Sequence, residues 1–269
     1  MTRVLITGGS SGLGAALAAR YARAGARVLI ADLAEPAAPP PGAFYQRLDI
    51  SSAADWAAAA ERVAGEFGGL DVLVNNAGIA AGGRIDHVDD DHWDRVLRIN
   101  VLGAVNGCRA LVPLFKRQGA GHVVNVASLA GLVHPAAMSS YSASKAAVVA
   151  LSESLRYELR PWGVDVSVVC PSFFRSNLSS SLGGGDPMAD QVAAKLIDRA
   201  PRSADDIAAR VVAAVARKEF LVLPDRQARV AAWTKRLARP LYERQMFAAG
   251  VKIRRAEERA ANPEGGQPQ

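Results

Sequence analysis

Tyr141 and Lys145 stand four residues apart, a spacing that puts both side chains on one face of a helix. A free phenol has a pKa of about 10, too high for a proton acceptor at neutral pH. A neighbouring ammonium stabilises the phenolate and lowers that value, so the pair can move a proton to or from a substrate oxygen. Ser128 follows the apolar run 123–127 and offers a hydroxyl to the same oxygen. Far upstream, Thr7-Gly8-Gly9-Ser10-Ser11-Gly12-Leu13-Gly14 joins a strand-like run to a helical pattern. Gly8, Gly12 and Gly14 let backbone approach a pyrophosphate, and the helix start supplies free N–H groups and positive dipole. Asp32 closes the next strand-like run, where a carboxylate accepts from the ribose hydroxyls of an adenosine and repels a 2′-phosphate. No Lys or Arg stands at Ser10, Ser11 or Leu33 to receive that phosphate. NAD is therefore expected over NADP, and its positive oxidised ring would lower the phenol pKa further.

These residues need a scaffold, and the hydropathy pattern supplies one. Short, nearly continuous apolar runs at 3–7, 27–31, 43–48, 71–74, 122–127, 165–170 and 220–223 alternate with helical patterns at 13–24, 53–67, 92–117, 139–160 and 204–217. Continuous apolar strands between helices predict an α/β fold, a doubly wound parallel sheet of seven strands covered on both faces. Ser52 with Asp55, and Ser203 after Pro201, read as helix starts. The crossover at 36–41 is proline-rich and is expected to be an extended loop; the Ser- and Gly-rich stretch 176–187 is expected to be irregular and mobile.

Taken in order, the Thr7–Gly14 turn, Asp49-Ile50, Asn75-Asn76-Ala77-Gly78, Asn100, Ser128, Tyr141-x-x-x-Lys145 and Pro171-Ser172 resemble the short-chain dehydrogenase/reductase family from residue 2 to about 223. The resemblance implies a single Rossmann domain that carries out hydride transfer on an alcohol or ketone. It implies Tyr141 as general acid/base, Ser128 orienting and polarising the substrate oxygen, and Lys145 lowering the Tyr141 pKa while holding the nicotinamide ribose. Asn100, in mid-helix, would hold a water linking Lys145 to solvent. The cofactor would be met by Gly8, Ser10, Ser11, Gly12, Leu13 and Gly14 at the turn, Asp32 at the adenosine ribose, and Asp49 and Ile50 beside adenine. Asn76, Ala77 and Gly78 would line the adenosine-side ribose, with Tyr141, Lys145, Pro171, Phe173 and Ser176 towards the nicotinamide. Ser176 stands where the family usually has Thr, Ser172 where it has Gly, and the loop at 36–41 where it has a helix. The last departure leaves the adenine end less covered.

In such a chain the substrate would sit between the segment 173–199 and the stretch after Ser128. The candidate lining is Ser128, Leu129, Ala130, His134, Tyr141, Phe173, Phe174, Leu178 and Leu182. It is mostly apolar, which suggests an aliphatic, aryl, lipid-like or steroid-like alcohol or ketone. An NADPH-dependent ketone or 3-oxoacyl reductase is the alternative. A catalytically silent dinucleotide sensor or scaffold is a different class, disfavoured because all four catalytic positions are filled. His87 and His92 among Asp86, Asp89, Asp90, Asp91 and Asp94 read as the acidic first turn of a helix, and no metal is expected.

The formal charge of +6 over 269 residues is unevenly placed. Residues 1–225 carry 22 basic and 22 acidic side chains; 226–259 carry 10 basic and 3 acidic. The neutral body argues against nucleic acid. The chain divides into a catalytic domain, 1–225, a basic amphipathic helical extension, 226–261, and a disordered tail, 262–269. Val230, Trp233, Leu237 and Leu241 form an apolar stripe on the extension, kinked by Pro240. That stripe suits a lid, a partner subunit or the surface of an anionic membrane. A homodimer or homotetramer is expected. Two cysteines in apolar runs, no leader and no membrane span suggest a cytoplasmic protein, peripheral to a membrane if the extension binds one.

Overall fold

The computed structural model describes residues 1–183 and 185–261; the expected tail at 262–269 lies outside the described residues. Seven strands form one sheet: β1 (Arg3–Thr7), β2 (Arg27–Asp32), β3 (Phe44–Arg47), β4 (Val72–Asn75), β5 (Gly121–Val126), β6 (Val164–Val169) and β7 (Leu221–Val222). Their spatial order is β3-β2-β1-β4-β5-β6-β7, and every neighbouring pair is parallel. The order reverses direction between β1 and β4. In open sheets of this kind a crevice opens there, beyond the carboxyl ends of the strands.

Successive strand residues point to opposite faces, and here both faces are covered. Val4 and Ile6 pack with Leu13, Leu17 and Tyr21 of α1 (Gly12–Arg23) and Val211 and Val215 of α7 (Ala204–Ala216). Leu5, between them, packs with Trp56 of α2 (Ala53–Gly65), Leu111 and Phe115 of α4 (Gly103–Gln118) and Leu159 of α5 (Ser139–Leu159). Each of these fully buried side chains contributes roughly 1.5–3 kcal/mol. Asp49-Ile50 and the starts of α2 and α7 follow the capping expected: Ser52 accepts from Asp55 N, and Ser203 forms a reciprocal box with Asp206.

Three expectations about helices change. The segment expected as one helix over 92–117 is α3 (Asp90–Leu97), a π-helical turn (Arg98–Leu102) and α4. The substrate segment is not wholly irregular, since it holds a 3-10 turn at Asn177–Ser181 and α6 (Pro187–Asp198). Asp186 caps α6 by accepting from Ala189 N, and Pro187 sits in its first turn, where a missing N–H costs nothing. The extension does not kink within one helix. It breaks at Ala238 into α8 (Arg226–Leu237) and α9 (Arg239–Ala261), with Pro240 in the first turn of α9. The crossover at 36–41 is without helix, as expected.

Candidate active site

The glycine turn is built by close approach. Gly8 has φ +63°, and a Cβ there would stand 2.9 Å from the Ala77 Cα; a Cβ at Gly14 would run into the Gly8 carbonyl. The turn is pinned to the end of β4: Thr7 Oγ1 accepts from Asn76 N and Ala77 N, both at 3.0 Å, and Asn76 Nδ2 donates to Thr7 O and Gly8 O. Ser11 caps α1 without a side-chain hydrogen bond, so the first N–H groups of the helix stay available.

Beside this turn lies a cleft of about 820 Å³. Gly8, Ser11, Gly12, Leu13, Asp32, Asp49, Ile50, Asn76, Ala77, Gly78 and Ser176 all line it, as the sequence suggested. The Asp32 carboxylate is fixed by Ser10 N at 2.9 Å and Leu33 N at 2.7 Å. Asp49 accepts from Ser51 N and Oγ, and the Ile50 carbonyl accepts from Trp56 Nε1 and Asn106 Nδ2. Of the remaining expected cofactor residues, Ser10, Gly14, Tyr141, Lys145, Pro171 and Phe173 are not in its lining. Ser10 faces the crossover, where its hydroxyl donates to Ala34 O, and Gly14 serves helix packing. The sequence reading missed Asp91, Asp94, Arg95 and Arg98, which line the opposite wall. Their spacing, one charged stripe at i, i+3, i+4 and i+7, was the available signal. A concave cleft with free helix N–H groups, a glycine turn open to backbone contact and a ribose-reading carboxylate fits a dinucleotide.

Tyr141 and Lys145 occupy successive turns at the start of α5, 8% and 5% exposed. Ser128 ends the β5 connection and caps a 3-10 turn at Leu129–Gly131 by accepting from Ala130 N. Lys145 Nζ donates to Val126 O at 3.2 Å. Asn100, in the π turn, clamps the loop after β4: its Oδ1 accepts from Ile79 N at 2.9 Å, and its Nδ2 donates to Ile79 O and to Ser144 Oγ. Ser144 in turn donates to Tyr141 O. The four catalytic candidates are thereby brought to one place.

The electrostatics correct one expectation. Burial raises the Tyr141 pKa, with a hydrogen bond to Ser128 opposing; the net shift is upward, not downward. Burial also pulls Lys145 down to about 8, which weakens the ammonium as a stabiliser of phenolate.

A second, smaller cavity of about 120 Å³ is lined by Ser128, Leu129, Ala130, Tyr141, Phe173, Phe174, Leu178 and Leu182, all expected. Ala81, Val133, Met138, Ser172 and Gln227 complete it and were missed. Ser176 and Leu178 line both cavities, so cleft and pocket meet there. His134 is a correction. It is exposed and outside the pocket, its N–H donating to Tyr242 Oη and its Nδ1 facing Lys235 Nζ at 2.7 Å. The extension, packed over this stretch, draws His134 outwards. Asp89, as expected of the acidic cluster, caps α3 through His92 N. Asp86 and His87 come within 4.8 Å of Glu257 of α9, an exposed group in which Glu257 is already paired with Arg84 at 2.9 Å.

Comparison with known proteins agrees with this geometry. The short chain dehydrogenase family profile matches residues 2–185. "Probable oxidoreductase EphD" of Mycobacterium tuberculosis is 40% identical over 200 residues, covering 71% of this chain and 34% of that protein, so the chain spans about a third of that relative's length. The 3-alpha-(or 20-beta)-hydroxysteroid dehydrogenase of the same organism is 35% identical over 181 residues, covering 65% of this chain and 70% of the relative. A short chain dehydrogenase/reductase from Burkholderia phymatum, in complex with NAD, superposes with a TM-score of 0.83 at 30% identity, covering 89% of this chain and 94% of that one. With more than half of its length matched by the family profile and its site built as described, this chain belongs to the short chain dehydrogenase family.

Proposed function

We propose that this oxidoreductase transfers a hydride between NAD(H) and a secondary alcohol or ketone with an apolar body, with Tyr141 as general acid/base. The observation that carries this reading is the junction at Ser176 and Leu178, where the dinucleotide-shaped cleft meets an apolar pocket lined by the Tyr141 and Ser128 side chains. Among the described residues, no helix is long and apolar enough to cross a membrane.

When bound in the cleft, the dinucleotide would supply the two-electron chemistry. Backbone N–H groups of Ser11, Gly12 and Leu13 would hold its pyrophosphate, and Asp32 its adenosine ribose. Tyr141 carries its proton in the buried, uncharged site, ready to deliver it to a substrate oxygen that gains electron density. In the reverse direction it accepts that proton, helped by positive charge brought beside it and by the Ser128 hydrogen bond. Ser128 fixes the oxygen's position. Lys145, buried beneath, holds the nicotinamide ribose and the local charge. The Asn100 clamp keeps the β4 loop and α5 in register.

Replacing Tyr141 with Phe should lower kcat by about 10²–10⁴-fold while leaving NADH binding, measured by fluorescence titration, within a few-fold. Turnover close to wild type would refute the mechanism. The cofactor preference is tested by comparing NADH and NADPH dissociation constants. Tighter NADPH binding would overturn the reading of Asp32 and favour an NADPH-dependent reductase.

A further inference from the structure

We infer that this enzyme takes a long-chain aliphatic ketone or alcohol, whose chain runs from the catalytic pocket into a second apolar chamber walled by the C-terminal helix. The inference rests on the catalytic reading above and narrows it.

The catalytic pocket alone, at about 120 Å³, is well below the roughly 300–1,000 Å³ of sites that enclose drug-sized ligands. Next to it lies a chamber of about 380 Å³. The two share a wall made of Pro135, Met138, Phe173 and Ala193, so a group leaving the first enters the second past side chains that belong to both. Met188, Val192 and Leu196 of α6 form one side of the chamber, and Met246, Ala249 and Ile253 of α9 the other. Three of the four methionines in the chain, Met138, Met188 and Met246, line it. Unbranched thioether side chains adapt to a flexible chain better than to a rigid fused-ring body.

The chamber's charges do not spoil it for an apolar guest. Arg84 and Asp186 neutralise each other at 2.8 Å, and Lys252 is exposed. Arg84 also pairs with Glu257, so one guanidinium ties α9 to the cap of α6 across the chamber. Val192 and Leu196 remain 55% and 47% exposed, apolar surface that a bound chain would cover. Continuity with the catalytic pocket is what identifies the occupant: the substrate's own tail.

The test is a homologous series of 2-alkanones, from 2-butanone to 2-dodecanone, with NADH. Once the inner pocket is full, each further methylene should raise kcat/KM by about fourfold, the equivalent of ~0.8 kcal/mol per buried CH₂, until the chamber is filled. Ala249→Trp, which fills the chamber from α9, should collapse the ratio of long-chain to short-chain kcat/KM towards one. Saturation-transfer NMR gives a readout independent of turnover. The terminal methyl of 2-decanone should be saturated as strongly as the C1 methyl in the wild type, and much less in Ala249→Trp. Reduction of short ketones with no gain from added length overturns the chamber and leaves the catalytic reading standing. No turnover of any ketone or alcohol at any length overturns both. A length effect that survives Ala249→Trp, with the terminal methyl still saturated, overturns the placement of the tail.

Discussion

Asp186 is the carboxylate on which most of this region hangs, and removing it should be costly. It is fully buried and accepts four hydrogen bonds: from Arg84 Nε at 2.8 Å, Arg84 Nη2 at 2.9 Å, Arg84 N at 2.9 Å and Ala189 N at 3.2 Å. Asp186→Ala leaves Arg84, whose side chain is 14% exposed, with an uncompensated inner face and strips the cap from α6. Breaking a buried pair from one side costs about 3–5 kcal/mol, of which loss of a cap accounts for roughly 1. For a chain of this size each kcal/mol lowers Tm by roughly 2–4 °C, so the melting temperature should fall by about 8–16 °C in calorimetry. Glu257→Ala removes the outer, 43%-exposed partner of the same guanidinium and should cost no more than about 1 kcal/mol. The charge on Arg84 holds Asp186 well below the usual carboxylate range. Its stabilisation is therefore complete above the unfolded carboxylate pKa of about 4 and is lost only as pH falls through the lower folded value. The gap between wild type and Asp186→Ala should be as wide at pH 5 as at pH 7. A Tm drop no larger than that of Glu257→Ala would refute the reasoning.

Burial lowers the His122 pKa to about 4, and its Nε2 faces Ser167 Oγ at 2.8 Å. The unfolded chain then binds a proton that the folded one refuses, so stability should decline by up to ~3 kcal/mol as pH drops from about 6.5 to 4; His122→Gln should flatten that limb in urea titrations. Lys145, drawn down to about 8, holds its proton below that pH, so kcat/KM for the dinucleotide should fall above pH 8, and Lys145→Arg should move that limb beyond the measurable range. Ser172→Gly removes a 2.7 Å hydrogen bond to the buried Asp225, which also caps α8. It should destabilise the extension by roughly 1–2 kcal/mol, read as faster amide exchange across residues 226–237 with the sheet unchanged.

The strands were legible because a sheet covered on both faces demands uninterrupted apolar runs, and Val4, Leu5 and Ile6 alternate between two cores without a polar break. Tyr141, Lys145, Ser128 and the glycine turn were legible because their chemistry depends on local spacing. What failed was whatever depends on distant segments. His134 was assigned to the pocket from its place in the chain, but Lys235 and Tyr242, about a hundred residues on, draw it out. Helix α6 was hidden behind a Ser- and Gly-rich approach, and its Val192 and Leu196 stay partly exposed, which blurs the helical period. The sign of the Tyr141 shift depends on burial, which pair spacing does not report. Asp225 closes the catalytic domain expected from sequence, yet it holds Ser172 of the pocket wall and the first turn of α8 together. A boundary drawn from charge thus falls on a mechanical joint.

The π turn has a consequence for how this chain can change length. From His92 through Val96, Asn100, Gly103, Gly107 and Leu111 to Phe115, buried positions recur once per turn for six turns. They use about 23 residues where a regular α-helix would use about 22. The wider turn at Arg98–Leu102 absorbs the surplus residue and keeps the inward face in phase on both sides of Asn100. Deleting one residue there would restore an ordinary helix at little backbone cost. It would also rotate one half against the other by about 100°, sending either the Asn100 clamp or the Leu111 and Phe115 contacts towards solvent. The segment is tuned in length as well as in composition, and a single-residue deletion in it should be less tolerated than most single substitutions.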